Sequence, residues 1–193
     1  MPTVTILMDD RIEAMRPRRL QAEHGFAVDV DGVLFDAGQT GVAAENARRL
    51  GVPVDHETIF LSHGHYDHTG GLHEFLPGAE TLYAHPDAFE PKFRDGGYIG
   101  NPYRRERIAA DVDVVAHTDP VEVAPGVHAL GEVPRPYPDN PTGETVDEDG
   151  ERVTDRILDD QSLAVETAAG TFLVCGCCHA GLRNTIEYAE SVL

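Results

Sequence analysis

Lysine is nearly missing from this chain. Lys92 is the single one among 15 basic residues, which face 34 Asp and Glu for a formal net charge of −19. Such a field repels phosphate backbones and anionic head groups at long range, so a broad basic face for nucleic acid or membrane is excluded. A local phosphate site stays open, because one arginine cluster or a metal ion overrides the global field at short range. Tryptophan is absent. No apolar run approaches the ~20 residues that span a bilayer. The opening Met1-Pro2-Thr3-Val4 lacks the charged-then-apolar order of a secretory signal. Cysteine is confined to Cys175, Cys177 and Cys178. Neighbours this close cannot build a disulfide framework, and a reducing, cytoplasmic setting is expected.

What remains is enough for a folded core. A chain of 193 residues with 41% hydrophobic side chains is no disordered acidic tail, and one domain over residues 1–193 is expected. The acidity suits a halophile, in which concentrated salt screens self-repulsion over a few ångström; the alternative is an acidic mesophilic protein.

Local patterning predicts a strand over Thr3 to Met8, then a loop or short helix from Arg11 to Glu23. Phe26 to Val30 and Val33 to Asp36 flank Asp31-Gly32, a two-residue hairpin signal. Val42 to Leu50 has helical spacing with Gly51 as its stop. Thr58 to Ser62 reads as a strand. Thr69-Gly70-Gly71 follows, then a helix is expected through Leu76, with Pro77-Gly78 ending it. Thr81 to Ala84 is a further strand, and 85 to 110 is loop and helix. Val112 to Ala116 and Val121 to Leu130 are expected as strands of a second sheet, and Pro134 to Asp155 as a long exposed loop. Ser162 to Glu166 and Thr171 to Cys175 pair around Ala168-Ala169-Gly170. A last helix carries Leu182, Ile186, Ala189 and Leu193 at helical spacing.

The chemistry concentrates in His63-Gly64-His65-Tyr66-Asp67-His68, directly after a strand. Three imidazoles and a carboxylate in six positions form a donor set that borderline divalent metals such as zinc select. An extended chain throws His63 and His65 to one side, within reach of one metal. The turn that follows can return Asp67 and His68 towards a second.

This His-x-His-x-Asp-His hexad resembles the signature of the metallo-β-lactamase superfamily. The likeness extends to Gln21 through Phe26, Val33 through Thr40, Asn46-Ala47, Leu50-Gly51, Leu61 to Leu72, Gly131 through Arg135, and Cys175 through Gly181. Those stretches resemble the branch of 7,8-dihydropterin-6-methyl-4-(β-D-ribofuranosyl)-aminobenzene-5′-phosphate synthase-like proteins. The resemblance implies an α+β fold, an αββα four-layer sandwich with metals at one sheet edge. It makes His63 and His65 ligands of the first metal, Asp67 and His68 of the second, and His179 the next ligand. Asp36 becomes a brace of the histidine loop, or else a turn aspartate. Asp159 or Asp160 ligates or orients a histidine. Cys177 and Cys178 are read as small buried hydrophobes in preference to ligands. His24 is placed at the pocket. Arg135 is a candidate for holding a substrate phosphate or carboxylate, and so are Arg104, Arg105 and Arg107. His56, His73, His85, His117 and His128 read as surface or packing residues. Members of the branch continue to a Gly-Gly-x-His-type segment that completes the site, and no histidine follows His179 here. The expectation is therefore a C-terminally truncated domain, with the second site closed otherwise or by a homodimer partner.

Three functions follow as expectations. The first is a hydrolase of a small-molecule ester or phosphoester, with one or two Zn2+ (or Mn2+ or Fe2+) supplying a metal-bound hydroxide and Asp67 orienting it. The second is a synthase joining a dihydropterin pyrophosphate to an aminobenzene ribosyl phosphate. The third is a non-catalytic metal-binding protein.

Overall fold

The structure, a computed structural model, describes residues 2–12 and 19–193. Residues 13–18, within the segment expected as loop or short helix, lie outside the described residues.

The chain begins with an antiparallel run, β1 (Val4–Met8), β2 (Ala27–Val30) and β3 (Val33–Phe35). Asp31 and Gly32 both have positive φ, 52° and 91°, which is why Asp-Gly closes the β2–β3 hairpin. The helix α1 (Val42–Leu50) follows and stops at Gly51 in the left-handed region, as the pattern predicts. The strands β4 (Thr58–Phe60), β5 (Thr81–Ala84) and β8 (Asp113–Ala116) then add in parallel to β3. The resulting six-stranded sheet has the order β1-β2-β3-β4-β5-β8. The strand at Val112 to Ala116 was expected in the second sheet; it belongs to this first one. The crossover through 85–110 returns it beside β5 in parallel, a pairing that alternation within one strand does not encode.

A second, antiparallel sheet contains β9 (Val121–Ala124), β10 (Val127–Ala129), β13 (Ser162–Thr167) and β14 (Gly170–Cys175), in the order β14-β13-β10-β9. The run from Val121 to Leu130 is a hairpin, not one strand, because Gly126 with φ 71° reverses it. Period-two alternation builds the layers. Val28, Val30, Val33, Phe35 and Phe60 of the first sheet meet Val123, Val127, Ala129, Leu163, Val165 and Val174 of the second. The opposite face of the first sheet, with Leu34, Ile59, Leu61 and Leu82, packs on Ala43, Ala44 and Ala47 of α1 and on Leu72 and Phe75. The outer face of the second sheet packs Leu130 and Ala164 against Ala189 of α4 (Leu182–Val192). The order is helix, sheet, sheet, helix.

Two further corrections concern local structure. The helix after the histidines starts earlier than expected, as α2 (Tyr66–Thr69), and continues as 3-10 turns over Gly70–Glu74 and Leu76–Gly78. The segment Pro134 to Asp155 is not wholly loop. Its β11 (Glu144–Val146) and β12 (Arg152–Thr154) join β6 (Phe93–Arg94) and β7 (Gly97–Tyr98) in a small third sheet. Proline, glycine and acidic residues conceal these short strands, and the Arg152 guanidinium 3.9 Å above the Phe93 ring helps to hold them. A one-turn helix, α3 (Arg105–Ile108), precedes β8. On α4 the Leu182, Ile186 and Leu193 side chains are exposed, and Asn184, Thr185 and Ala189 are the buried ones. Asn184 fixes that rotation through bonds from its amide to the carbonyls of Tyr137 and Ala180. Among the described residues no helix is long and apolar enough to cross a membrane.

Candidate metal centre

The histidines lie where the parallel strands end. Asp36 follows β3, and Ser62 to His68 follow β4, at the carboxyl edge where open α/β sheets bind ligands. Asp36 is fully buried with φ 55°, a strained turn position held by what its carboxylate accepts. Oδ1 accepts the Ser62 backbone N–H at 2.7 Å. Oδ2 accepts the Ser62 hydroxyl at 2.6 Å and meets His68 Nδ1 at 2.6 Å. Asp36 is thus both the brace and the turn residue.

These bonds fix ring tautomers. Ser62 spends its proton on Asp36, so its oxygen, 2.9 Å from His63 Nδ1, accepts from that nitrogen and leaves His63 Nε2 bare. His68 donates Nδ1–H to Asp36. His179 donates Nδ1–H to the Asn140 carbonyl at 3.0 Å, and its Nε2 is buried without a partner. His63 Nε2 stands 2.9 Å from His65 Nδ1, and His65 Nε2 is also buried and unpartnered. The His63 ring centroid lies 4.5, 4.3 and 5.1 Å from those of His65, His68 and His179.

Among the described residues, ligand-type atoms gather into two sets. His63, Cys177 and His179 form one, and Asp67, His68 and Cys177 the other; within each set the atoms lie inside 4.8 Å of one another. Burial pushes His63 well below the ordinary imidazole range, and burial, with His179 and Lys92 nearby, lowers His65 to about 4. Both stay neutral and keep the lone pairs that a metal needs. His68 is pushed well above the ordinary value; burial opposes this, and the Asp36 carboxylate outweighs it. For Cys177 burial raises the thiol, and the His179 and His68 imidazoles beside it overcome that and bring it down. Two nitrogens of a tetrahedral zinc with bonds near 2.0–2.1 Å sit roughly 3.3 Å apart, so the 2.9 Å pair of His63 Nε2 and His65 Nδ1, with the orphaned buried Nε2 of His179, fits a divalent cation.

Asp67 lines a cavity beside the second set, with His24, Gly25, Phe26 and Cys177. Its Oδ2 is 3.5 Å from His68 Nε2 and 3.4 Å from His24 Nε2. His24 is 64% exposed at the rim and also meets Asp10 at 3.2 Å. Gly25 has φ 118°, and a Cβ there would sit 1.9 Å from the Asp67 carbonyl, so only glycine lets the rim close on Asp67.

Asp159 and Asp160 both reach the site, in different roles. Asp159 Oδ2 accepts the Gly64 N–H at 2.7 Å, and its Oδ1 accepts from Lys92 Nζ at 2.8 Å. Lys92 also bonds Asp155 at 3.0 Å and is fully buried. Burial alone would raise the Asp159 pKa, but the Lys92 ammonium holds it below the ordinary range. Asp160 accepts the Ala180 N–H at 2.8 Å; burial raises its pKa, and its Oδ1 is buried and unpartnered.

Arg135 is not brought to the histidines. Its guanidinium donates to the carbonyls of Arg156 and Ile157 and to Asp139, and it ties two loops together. Arg107 pairs with Asp111 across one exposed turn, beside a separate groove under Tyr103. Arg104 and Arg105 begin α3. The reading of Cys177 as a buried hydrophobe is also corrected: its residue is exposed and its sulfur lies 3.2 Å from His68 Nε2. Cys178 turns away, with Sγ 3.6 Å from the Thr185 hydroxyl. The sequence reading passed over Lys92, Ser62 and Asp10. Lys92 carried a signal, as the sole lysine of a strongly acidic chain.

Comparison with known proteins matches this architecture. A family model described as the beta-lactamase superfamily domain matches residues 32–154. An uncharacterized protein of Methanocaldococcus jannaschii, MJ0448, is 32% identical over 91% of this chain and 70% of its own length. A 7,8-dihydropterin-6-methyl-4-(beta-D-ribofuranosyl)-aminobenzene-5'-phosphate synthase of the same organism is 30% identical over 86% of this chain, which spans 65% of that relative. The crystal structure of Tm1679, a metal-dependent hydrolase of the beta-lactamase superfamily, superposes with a TM-score of 0.83 at 30% identity, covering 98% of this chain and 71% of that one. Fold, motif and relatives agree, and the chain belongs to the metallo-β-lactamase superfamily.

Proposed function

We propose that the protein is a metal-dependent hydrolase acting on an ester or phosphoester of a small molecule. The observation that carries this reading is the pair of ligand sets meeting at one open cavity. The hydrolase name of the relative with the TM-score of 0.83 supports it. His63, His65 and His179 would hold one ion and Asp67 and His68 a second, with zinc the first choice and manganese or iron the alternatives. When bound, the metal supplies Lewis acidity, lowering the pKa of water from 15.7 towards ~7 and polarising a carbonyl or phosphoryl oxygen. The chain supplies the rest. Asp36 holds the His63 and His68 tautomers. The Asp67 carboxylate faces the cavity, where it can orient an attacking water and take its proton. His24 at the rim, in contact with Asp67, meets the substrate.

One observation favours a second reading. The 30% identical relative carries a synthase name; in that reading the same residues serve pterin–aminobenzene ribosyl phosphate condensation.

Zinc-loaded protein should turn over bis-p-nitrophenyl phosphate or p-nitrophenyl acetate, and Asp67→Asn should lower kcat by about 10²–10⁴-fold. Unchanged activity in His65→Ala refutes the hydrolase reading. Silence on both esters with consumption of a dihydropterin pyrophosphate selects the synthase.

A further inference from the structure

We propose that Cys177 is a metal ligand and that its sulfur is shared by the two ligand sets, making the centre thiolate-bridged. This rests on the metal-centre reading above and goes beyond it by naming the bridge and the metal class.

Cys177 is the one residue common to both sets, His63–Cys177–His179 and Asp67–His68–Cys177. Its Sγ stands 3.2 Å from His68 Nε2, close to the roughly 3.5 Å expected for sulfur and nitrogen on one tetrahedral ion with bonds near 2.3 and 2.0 Å. The backbone is built to deliver it. Gly176 passes so close to Ser62 that a Cβ would meet the Ser62 hydroxyl at 2.5 Å, which brings the end of β14 against the histidine loop. Cys178 then takes φ 55°, turning its own thiol towards Thr185, while Cys177 lines the cavity beside Asp67 and His68.

The carboxylates nearby do not compete for the shared position. Both Asp159 oxygens are occupied, by Lys92 and by the Gly64 N–H, and Asp160 belongs to neither set. Asp36 is saturated by Ser62 and His68. A soft sulfur between two nitrogen and oxygen sets selects zinc or cobalt over manganese or magnesium.

Cobalt(II) titration of metal-free protein tests this by absorption, independently of activity. The wild type should show visible d–d bands together with a near-ultraviolet thiolate-to-cobalt charge-transfer band. Cys177→Ser and Cys177→Ala should abolish the charge-transfer band and weaken cobalt binding at least tenfold. Cys178→Ser should retain both. A circular dichroism melt accompanies each variant, and Cys177 is exposed, so folding should be unaffected. If d–d bands appear with no charge-transfer band, or if the band survives in Cys177→Ser, the bridge is wrong while the metal centre stands. If no cobalt binds at all, the metal-centre reading itself fails. If manganese binds the wild type as tightly as cobalt does, the thiolate bridge is overturned.

Discussion

Replacing Lys92 with methionine is the sharpest perturbation of the scaffold. The ammonium lies 2.8 Å from Asp159 and 3.0 Å from Asp155, and all three side chains are buried. At an effective dielectric of ~20 each contact carries a gross attraction of about 6 kcal/mol, offset by several kcal/mol of desolvation per ion. The net worth of the triad is therefore small, but breaking it is not. Lys92→Met leaves two buried carboxylates facing each other without a cation, which costs about 3–5 kcal/mol. For a chain of this size that lowers Tm by roughly 6–20 °C, at ~2–4 °C per kcal/mol. The damage should also reach the site, because Asp159 holds the Gly64 N–H between His63 and His65. Urea unfolding of metal-free protein gives the ΔG directly. The triple variant Lys92→Met/Asp155→Asn/Asp159→Asn removes the stranded charges and should recover at least half of the loss. A single variant within about 1 kcal/mol of wild type, or a triple variant no better than the single, would refute the reasoning.

Four further outcomes follow. Asp159 has a folded pKa below its unfolded value, so its stabilisation is present above the ordinary aspartate range and is lost as pH falls through the depressed value; Asp159→Asn should flatten the acid limb of a stability–pH curve, and an unchanged limb contradicts this. Asp36→Asn removes the acceptor that orients His63 and His68, and zinc affinity by competition titration should fall about 10–100-fold. A Cβ at Gly64 would lie 2.3 Å from the Ala88 carbonyl oxygen, so Gly64→Ala should cost about 1–3 kcal/mol or more in urea unfolding. Gly51 has φ 77° with open space around its Cα, so Gly51→Ala isolates conformational cost alone and should lose about 1 kcal/mol with zinc binding intact.

Much of the fold was legible because local rules and global packing agree. Asp31-Gly32 demanded positive φ and made its hairpin, Gly51 ended its helix, and alternation in β13 sent Leu163 and Val165 inward and Ala164 outward. What failed was pairing between distant segments. Nothing in Asp113–Ala116 reports that it lies parallel to β5, and three-residue strands hidden among prolines gave no periodicity to read. The site divides in the same way. The hexad announced His63, His65, Asp67 and His68 by density alone. The support from Lys92 to Asp159 to Gly64 spans 67 and 95 positions of chain, and only the fold joins it. Cys177 reads as buried because a cysteine at a strand end looks apolar, and only the fold shows it exposed beside the His68 imidazole.

A metal centre formed by His63 to His68 and His179 must hold its ion. Elemental analysis by inductively coupled plasma mass spectrometry, after loading with zinc and exhaustive dialysis, tests it most directly. At least one tightly held zinc per wild-type chain is expected, with a substoichiometric amount in His63→Ala. Wild-type protein that retains no zinc, or a His63→Ala variant that retains as much as wild type, would contradict it.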